Sequence, residues 1–208
     1  MTRNQKLSLT AAWRPFEHKV RGLLIKEKIL SRLQNKKVLV ACSGGLDSVA
    51  LLFFLSRIDQ DCHIQLHVLH IHHGDHANKK FRDLAESDVR QLCQKFNFHL
   101  TVKKISAGSD QQSETFFRQQ RIQIYQQILQ ETASDFLALG HHMDDLLETR
   151  LMRLFRGTGV EGLKAMSMLR KKVLRPFLQI SKTELFEYLN EFGIQFRNDP
   201  TNKQSENV

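Results

Sequence analysis

From residue 37 onward the chain alternates short apolar runs with longer stretches in which apolar residues recur every three or four positions. The run at 37–42 (KVLVAC) has the β-branched, apolar character of a buried parallel strand, and those at 63–71 (HIQLHVLHI), about 98–105 and 135–139 (DFLAL) read as further strands. The stretches at 47–58, about 77–96, about 112–131 and 142–155 carry helical spacing. Repeated strand–helix units predict an α/β fold: a doubly wound, mostly parallel sheet with helices on both faces. Upstream, residues 15–34 set Phe16, Val20, Leu23, Leu24, Ile29, Leu30 and Leu33 along one side of an amphipathic helix. Lys19, Arg21, Lys26, Lys28 and Arg32 lie on the other. Downstream the pattern loosens. Gly157, Gly159 and Gly162 predict a flexible loop, and residues 174–180 an extended segment. Ser181 with Glu184 forms a capping box for a helix that runs to Phe192 and stops at Gly193. The chain thus divides into a basic helical arm (1–35), an α/β domain (36–202) and a polar tail (203–208).

Ligands of such sheets bind beyond the carboxyl ends of the strands. The turns after 37–42, 63–71 and 135–139 are therefore expected to converge on one crevice. The first of them reads Ser43-Gly44-Gly45-Leu46-Asp47-Ser48. A strand, a glycine-rich turn and a helix N-terminus make an anion site, because the first-turn N–H groups are free and the helix dipole adds partial positive charge. Gly44 and Gly45 let the backbone approach a phosphate closely, and Ser43 and Ser48 supply hydroxyl donors. There is no G-x-x-x-x-G-K-[ST], so this is not a Walker loop, and the turn holds no cation. It holds Asp47 instead. A carboxylate beside a phosphate is unfavourable unless a metal lies between them, so Asp47 is expected to bind Mg²⁺.

The turn after 135–139 opens Gly140-His-His-Met-Asp-Asp-Leu-Leu-Glu-Thr149. Asp145 and Glu148, three apart, share a helical face, and His141 lies four before Asp145. Acidic residues also suit a first helical turn, so capping alone would account for Asp144 or Asp145 taken singly. His70 and His72 alternate on a strand, with His73 and His76 following. They lack the cysteine partner common in zinc sites, and a nucleotide crevice explains them without a transition metal.

The 43–48 turn resembles the PP-loop of the ATP pyrophosphatase superfamily, whose members cleave ATP between the α- and β-phosphates and leave AMP on an activated substrate. H-x-x-x-D-x-x-E-T at 141–149, followed by L-F-R-G-T-G-V-E-G-L at 154–163, is similar to the tRNA(Ile)-lysidine synthases. So are H-I-H-H-G at 70–74, R-P-F-L at 175–178 and D-P-T-N at 199–202. The resemblance implies a Rossmann-like PP-loop fold. It also implies ATP-dependent activation of the wobble cytidine of an isoleucine tRNA with a CAU anticodon. Free L-lysine is then joined to carbon 2 of that base, with release of AMP and pyrophosphate. Carried onto this chain, it has Ser43, Gly44, Gly45, Leu46, Asp47 and Ser48 hold ATP, with His70 and His141 beside the nucleotide. Asp145 and Glu148 face the lysine amines or the metal, and Arg156 with the glycine loop after it closes over the reacting groups. Arg118, Arg121 and Arg175 contact RNA. Two positions depart from the family: Ile122 follows Arg121 where a tyrosine is usual, the nearest being Tyr125, and Asp75 stands in place of a leucine. Members of the family continue past D-P-T-N into further domains, whereas here six residues follow Asn202. A homodimer is one of the oligomeric states left open.

Charge sharpens the picture. Of a net +9, residues 1–37 hold ten Lys/Arg against two Glu, and residues 150–175 hold eight against one, so the remainder is net acidic. Two basic blocks on an acidic body suggest a polyanion larger than ATP, with RNA the leading candidate and solvated surface the alternative. The N-terminus lacks the apolar core of a signal peptide and no apolar run reaches membrane length, so a cytoplasmic protein is expected. Cys42, Cys62 and Cys93 form no C-x-x-C, which argues against a disulfide scaffold and against the tRNA thiolation enzymes of the same superfamily. A small-molecule adenylating ligase is the remaining alternative, and the basic arm argues against it.

Overall fold

The computed structural model describes residues 12–74, 79–105, 113–157 and 166–197. Among them six strands form one sheet: β1 (Lys37–Ala41), β2 (Gln65–His72), β3 (His99–Lys104), β4 (Phe136–Ala138), β5 (Leu169–Arg170) and β6 (Val173–Leu174). Their order is β3-β2-β1-β4-β6-β5. Every neighbouring pair is parallel except the β5–β6 hairpin. The helices are α1 (Pro15–Lys26), α2 (Leu46–Cys62), α3 (Lys79–Phe96), α4 (Glu114–Glu131), α5 (Met143–Phe155) and α6 (Lys182–Glu191). The mostly parallel sheet of the sequence reading is therefore observed.

Strand alternation divides the core in two. Val38 and Val40 of β1, with Val68 and Ala138 beside them, face a large cluster that α2, α3 and α6 cover with Leu51, Leu55, Val89, Leu185 and Leu189. Leu39, Leu69 and Leu137 face the opposite way, where α4 covers them with Ile128, Ile124 and Tyr125. Helices thus flank both faces. α2 is the most enclosed: every residue from Ser48 to Ile58 is buried, which its near-continuous apolar sequence anticipates. β1 sits where the winding reverses, between β2 and β4. The crevice at that reversal opens beyond the ends of β1 and β4. Among the described residues no helix is long and apolar enough to cross a membrane.

Two elements differ from expectation. The helix predicted over 15–34 ends at Lys26, and residues Leu30–Leu33 form a separate 3₁₀ turn. Lys28 takes a left-handed φ of 55°. The Ile29 N–H donates to the Leu24 carbonyl at 2.8 Å and the Lys28 N–H to that of Ile25 at 2.9 Å. This is a Schellman stop with lysine at the position glycine usually fills, so the glycine signal is missing from the sequence. In the second case, residues 174–180 are not one extended run. The ladder stops after Leu174, and the chain turns so that Pro176, Phe177, Leu178 and Ile180 are buried. The α6 capping box forms as expected: Ser181 Oγ accepts the Glu184 N–H at 3.3 Å.

α1 is tied into the body by a buried charge network. Glu17 (0% exposed) accepts from Arg57 (2% exposed) at 2.7 and 3.0 Å and from the Tyr188 hydroxyl at 2.8 Å. Burial alone would raise the Glu17 pKa, but the hydrogen bonds from Arg57, the Arg14 N–H and Tyr188 outweigh it and hold the carboxyl low. Phe16 stacks on Tyr188 with ring centroids 4.2 Å apart. Two of the basic residues of α1 are engaged within the fold: Lys19 pairs with Glu184 and Arg21 with Asp61.

Candidate active site

β1 runs straight into the glycine turn, and α2 begins at Leu46 with Gly45 as its N-cap and no side chain capping it. The first-turn N–H groups are therefore available to an anion. The turn is held from within by Ser48, which is 8% exposed. Its hydroxyl donates to the Gly45 carbonyl at 3.0 Å and accepts the Ser43 N–H at 3.1 Å. The Ser43 hydroxyl, also 3.1 Å away, then donates to Ser48. Gly44 has φ +90°, a conformation that favours glycine. Leu46 is buried and offers the site only its backbone.

The second cluster meets this turn at Gly140. A Cβ there would lie 2.9 Å from both the carbonyl carbon and oxygen of Asp47 and 3.2 Å from the Ser48 nitrogen. Glycine is required for space, because the exit of β4 is pressed against the first turn of α2. His142 follows as the N-cap of α5. Its main-chain N–H donates to Asp145 Oδ2 at 2.8 Å, and its Nδ1 accepts the Asp144 N–H at 3.3 Å. With Nδ1 accepting, the ring proton sits on Nε2. That atom lies 3.6 Å from Asp47 Oδ1 and 3.7 Å from Asp145 Oδ2, between the two carboxylates. His141 turns the other way, and its Nδ1 accepts from Arg175 Nε at 3.2 Å. Burial lowers the His141 pKa; Asp145 opposes this while Arg175, His142 and Arg118 reinforce it, so the ring stays neutral at physiological pH.

The Asp47 carboxyl is perturbed by its surroundings. Burial raises its pKa, His142 and Lys182 pull it back, and Asp145 pushes it further up. Its Oδ1 is buried without a hydrogen-bond partner. An orphaned hard oxygen of this kind fits Mg²⁺. Among the described residues no three His, Cys, Asp or Glu side chains group to hold a metal by themselves. A shared ion would suit that geometry, since Mg²⁺ commonly takes one or two carboxylates and completes its shell with phosphates and water.

A cleft of about 650 Å³ brings these parts together, lined by Ser43, Asp47, Ser48, Gly140, His141 and Asp145 at the turn. Leu69, Ile71, Tyr125, Leu137 and Leu139 make an apolar floor, and Arg118, Arg121, Arg175 and His73 also line it. Burial, then Arg121 and Arg82, bring the His73 pKa down to about 4, so it is a neutral ring among cations. The structure thus gathers Ser43, Asp47, Ser48, His141, Asp145 and all three expected arginines around one space. It does not bring Gly44, Gly45, Leu46, His70, Glu148 or Arg156 into that lining, and Gly44 lines a separate hollow with Asp88, Val89 and Arg197. His70 is buried and donates Nδ1–H to the Cys42 carbonyl at 2.8 Å, bracing the end of β1. Glu148 is exposed on α5 and Arg156 is exposed as its C-cap. Asp75, His76, the glycines at 159 and 162, and D-P-T-N lie outside the described residues. His142, Gly140 and Lys182 were not singled out from sequence. The only signal for His142 is Asp145 three positions on, and histidine is not a residue that marks an N-cap.

Residues 16–207 match the PP-loop domain family. A tRNA(Ile)-lysidine synthase of Bdellovibrio bacteriovorus is 41% identical over 95% of this chain and 60% of its own length. Those of Clostridium perfringens and Bacteroides thetaiotaomicron are 34% and 35% identical over 86% and 84% of this chain. The chain spans only 39% and 41% of those two relatives. Among solved structures, the U34-tRNA thiolase NcsA of Methanococcus maripaludis, with its [4Fe-4S] cluster, has a TM-score of 0.73. It is 21% identical, over 89% of this chain and 65% of its own, a likeness of fold.

Proposed function

Because the chain belongs to the PP-loop family, we propose that its cleft cleaves ATP between the α- and β-phosphates to activate the wobble cytidine of an isoleucine tRNA for attack by lysine. The junction at Gly140 carries this reading: it seats a phosphate-binding turn against the helix that bears Asp145, in a chain whose relatives are named tRNA(Ile)-lysidine synthases. A tRNA substrate implies a cytoplasmic site of action.

The α2 first-turn N–H groups, left without a side-chain cap, receive the triphosphate. Asp47 would hold Mg²⁺, which when bound would offset the charge of the phosphates and of the departing pyrophosphate. The cytidine O2 attacks the α-phosphorus, the bond to the β-phosphate oxygen breaks, and pyrophosphate leaves. Arg175, steered by His141, and Arg118 balance charge at the α-phosphate. Lysine Nε then attacks carbon 2, the C2–O2 bond breaks, and AMP leaves with that oxygen. The incoming ammonium must first lose a proton. Asp145 commits Oδ2 to the helix cap, so Oδ1 is the atom that holds the amine and accepts the proton. Arg121 and Arg156 meet the tRNA.

The test is incorporation of labelled lysine into a tRNA transcript with a CAU anticodon, in the presence of ATP and Mg²⁺. ATP-dependent labelling, lost on Asp145→Asn, is expected. AMP formation with no lysine in the tRNA, or transfer of sulfur when a donor is supplied, would overturn the proposal.

A further inference from the structure

The back of the glycine turn is occupied by the segment that follows α6. The Arg197 N–H donates to the Gly44 carbonyl at 2.9 Å, and Arg197 forms a parallel bridge with Gly45. In a trans peptide the carbonyl and the N–H point in opposite directions. With the Gly44 carbonyl turned back to Arg197, the Gly45 N–H faces into the turn, where it donates to Ser43 Oγ at 3.4 Å. Two adjacent glycines put little steric barrier in the way of a peptide flip. A flip would replace that N–H with a carbonyl facing the phosphates.

Arg197 is itself held. Its Nε and Nη2 lie 2.8 and 2.6 Å from Asp88 Oδ2 on α3, and its guanidinium sits over Phe81, 5.9 Å from the ring centroid. The same stretch of α3 backs the turn directly. A Cβ on Gly44 would lie 3.2 Å from the Ala85 carbonyl oxygen and 3.4 Å from Val89 Cγ2.

We propose that Arg197 is a positioning residue for ATP: clamped to Asp88, it fixes the Gly44–Gly45 peptide with the Gly45 N–H aimed at the phosphates. The proposal rests on the reading of residues 43–48 as the phosphate site, and its test separates the two. Isothermal calorimetry compares ATP·Mg²⁺ with adenosine, which lacks the phosphates, on the parent chain, Arg197→Ala, Arg197→Lys and Asp88→Asn. Arg197→Ala weakens ATP by about tenfold or more, the scale of one charge-assisted hydrogen bond, and leaves adenosine within about twofold. Asp88→Asn moves ATP the same way, and Arg197→Lys recovers part of the loss. The double variant is no worse than the worse single one, because both act through one contact. Should Arg197→Ala fail to fold, Asp88→Asn and Arg197→Lys carry the comparison. ATP affinity at the parent level in a folded variant overturns the proposal. So does an equal loss of ATP and adenosine, which marks a merely structural residue. A parent chain that binds ATP no more tightly than adenosine overturns the phosphate site itself, and the proposal with it.

Discussion

Asp47 is held at a cost to the fold. Its Oδ1 is buried without a partner, and burial raises its pKa. Between the ordinary aspartate pKa and the raised one, the folded chain binds more protons than the unfolded chain. Stability therefore falls as pH rises through that window and stays lower at neutrality. Asp47→Asn is predicted to abolish Mg²⁺-dependent ATP turnover yet raise the Tm at pH 7, measured without nucleotide or divalent cation. The gain should vanish below the ordinary aspartate range. A Tm at or below the parent's at pH 7 would contradict the assignment. Gly140→Ala tests the junction. Its Cβ, 2.9 Å from Asp47 backbone atoms, must push the turn aside, so pyrophosphate release should drop at least about tenfold, the scale on which small misplacements of reacting groups act. At this scale the sequence was legible where chemistry resides in a contiguous turn, as in residues 43–48. It was not legible where a role depends on a distant neighbour. His142 matters because Asp47 lies beside it, and Gly140 because the first turn of α2 does. Neither relation has a local pattern.

The elements were more readable than their ends. Buried parallel strands are nearly continuous apolar runs, so β1 and β4 stood out, while the edge strand β3 (HLTVKK) has no fully buried residue. The termination of α1 did not, since Lys28 takes the left-handed position without glycine. Nor did the turn at 176–179, because burial there is apolar without being extended. The basic character of α1 also needs revision at this scale. Lys19 and Arg21 are spent on Glu184 and Asp61, while Lys26 and Lys28 are exposed. If α1 meets RNA, the double charge reversal Lys26→Glu with Lys28→Glu should flatten the salt dependence of tRNA binding. Each lost phosphate contact should reduce the log–log slope by about 0.7 to 0.9. An unchanged slope in a folded variant would leave this face as solvated surface and move the RNA contact to the basic residues of 150–175. On α5, Leu147, Leu151, Leu154 and Phe155 are exposed. Helical spacing alone predicts a periodic apolar stripe but not whether anything covers it.

Across the whole molecule, the Glu17–Arg57–Tyr188 network joins α1, α2 and α6, elements far apart in sequence. Arg57→Met would leave Glu17 as a buried, uncompensated charge and should cost about 3–5 kcal/mol in urea unfolding. Tyr188→Phe should cost about 1–2 kcal/mol through one lost hydrogen bond. Because the Glu17 pKa is held low, its contribution is present above the ordinary glutamate range and is lost as pH falls through the lowered value. That network ties α1 and α6 into the fold on the face covered by α2, and the segment after α6 then reaches Gly44. The crevice at the β1–β4 reversal is where the central claim is decided: one site adenylates a tRNA base and then exchanges the AMP for lysine. The most direct measurement uses ATP labelled at the α-phosphate with CAU-anticodon tRNA and Mg²⁺, first without lysine. The label should move onto the tRNA and then be released as AMP when lysine is added. Label that ends in ADP, or that never reaches the tRNA before lysine or after it, would contradict the account.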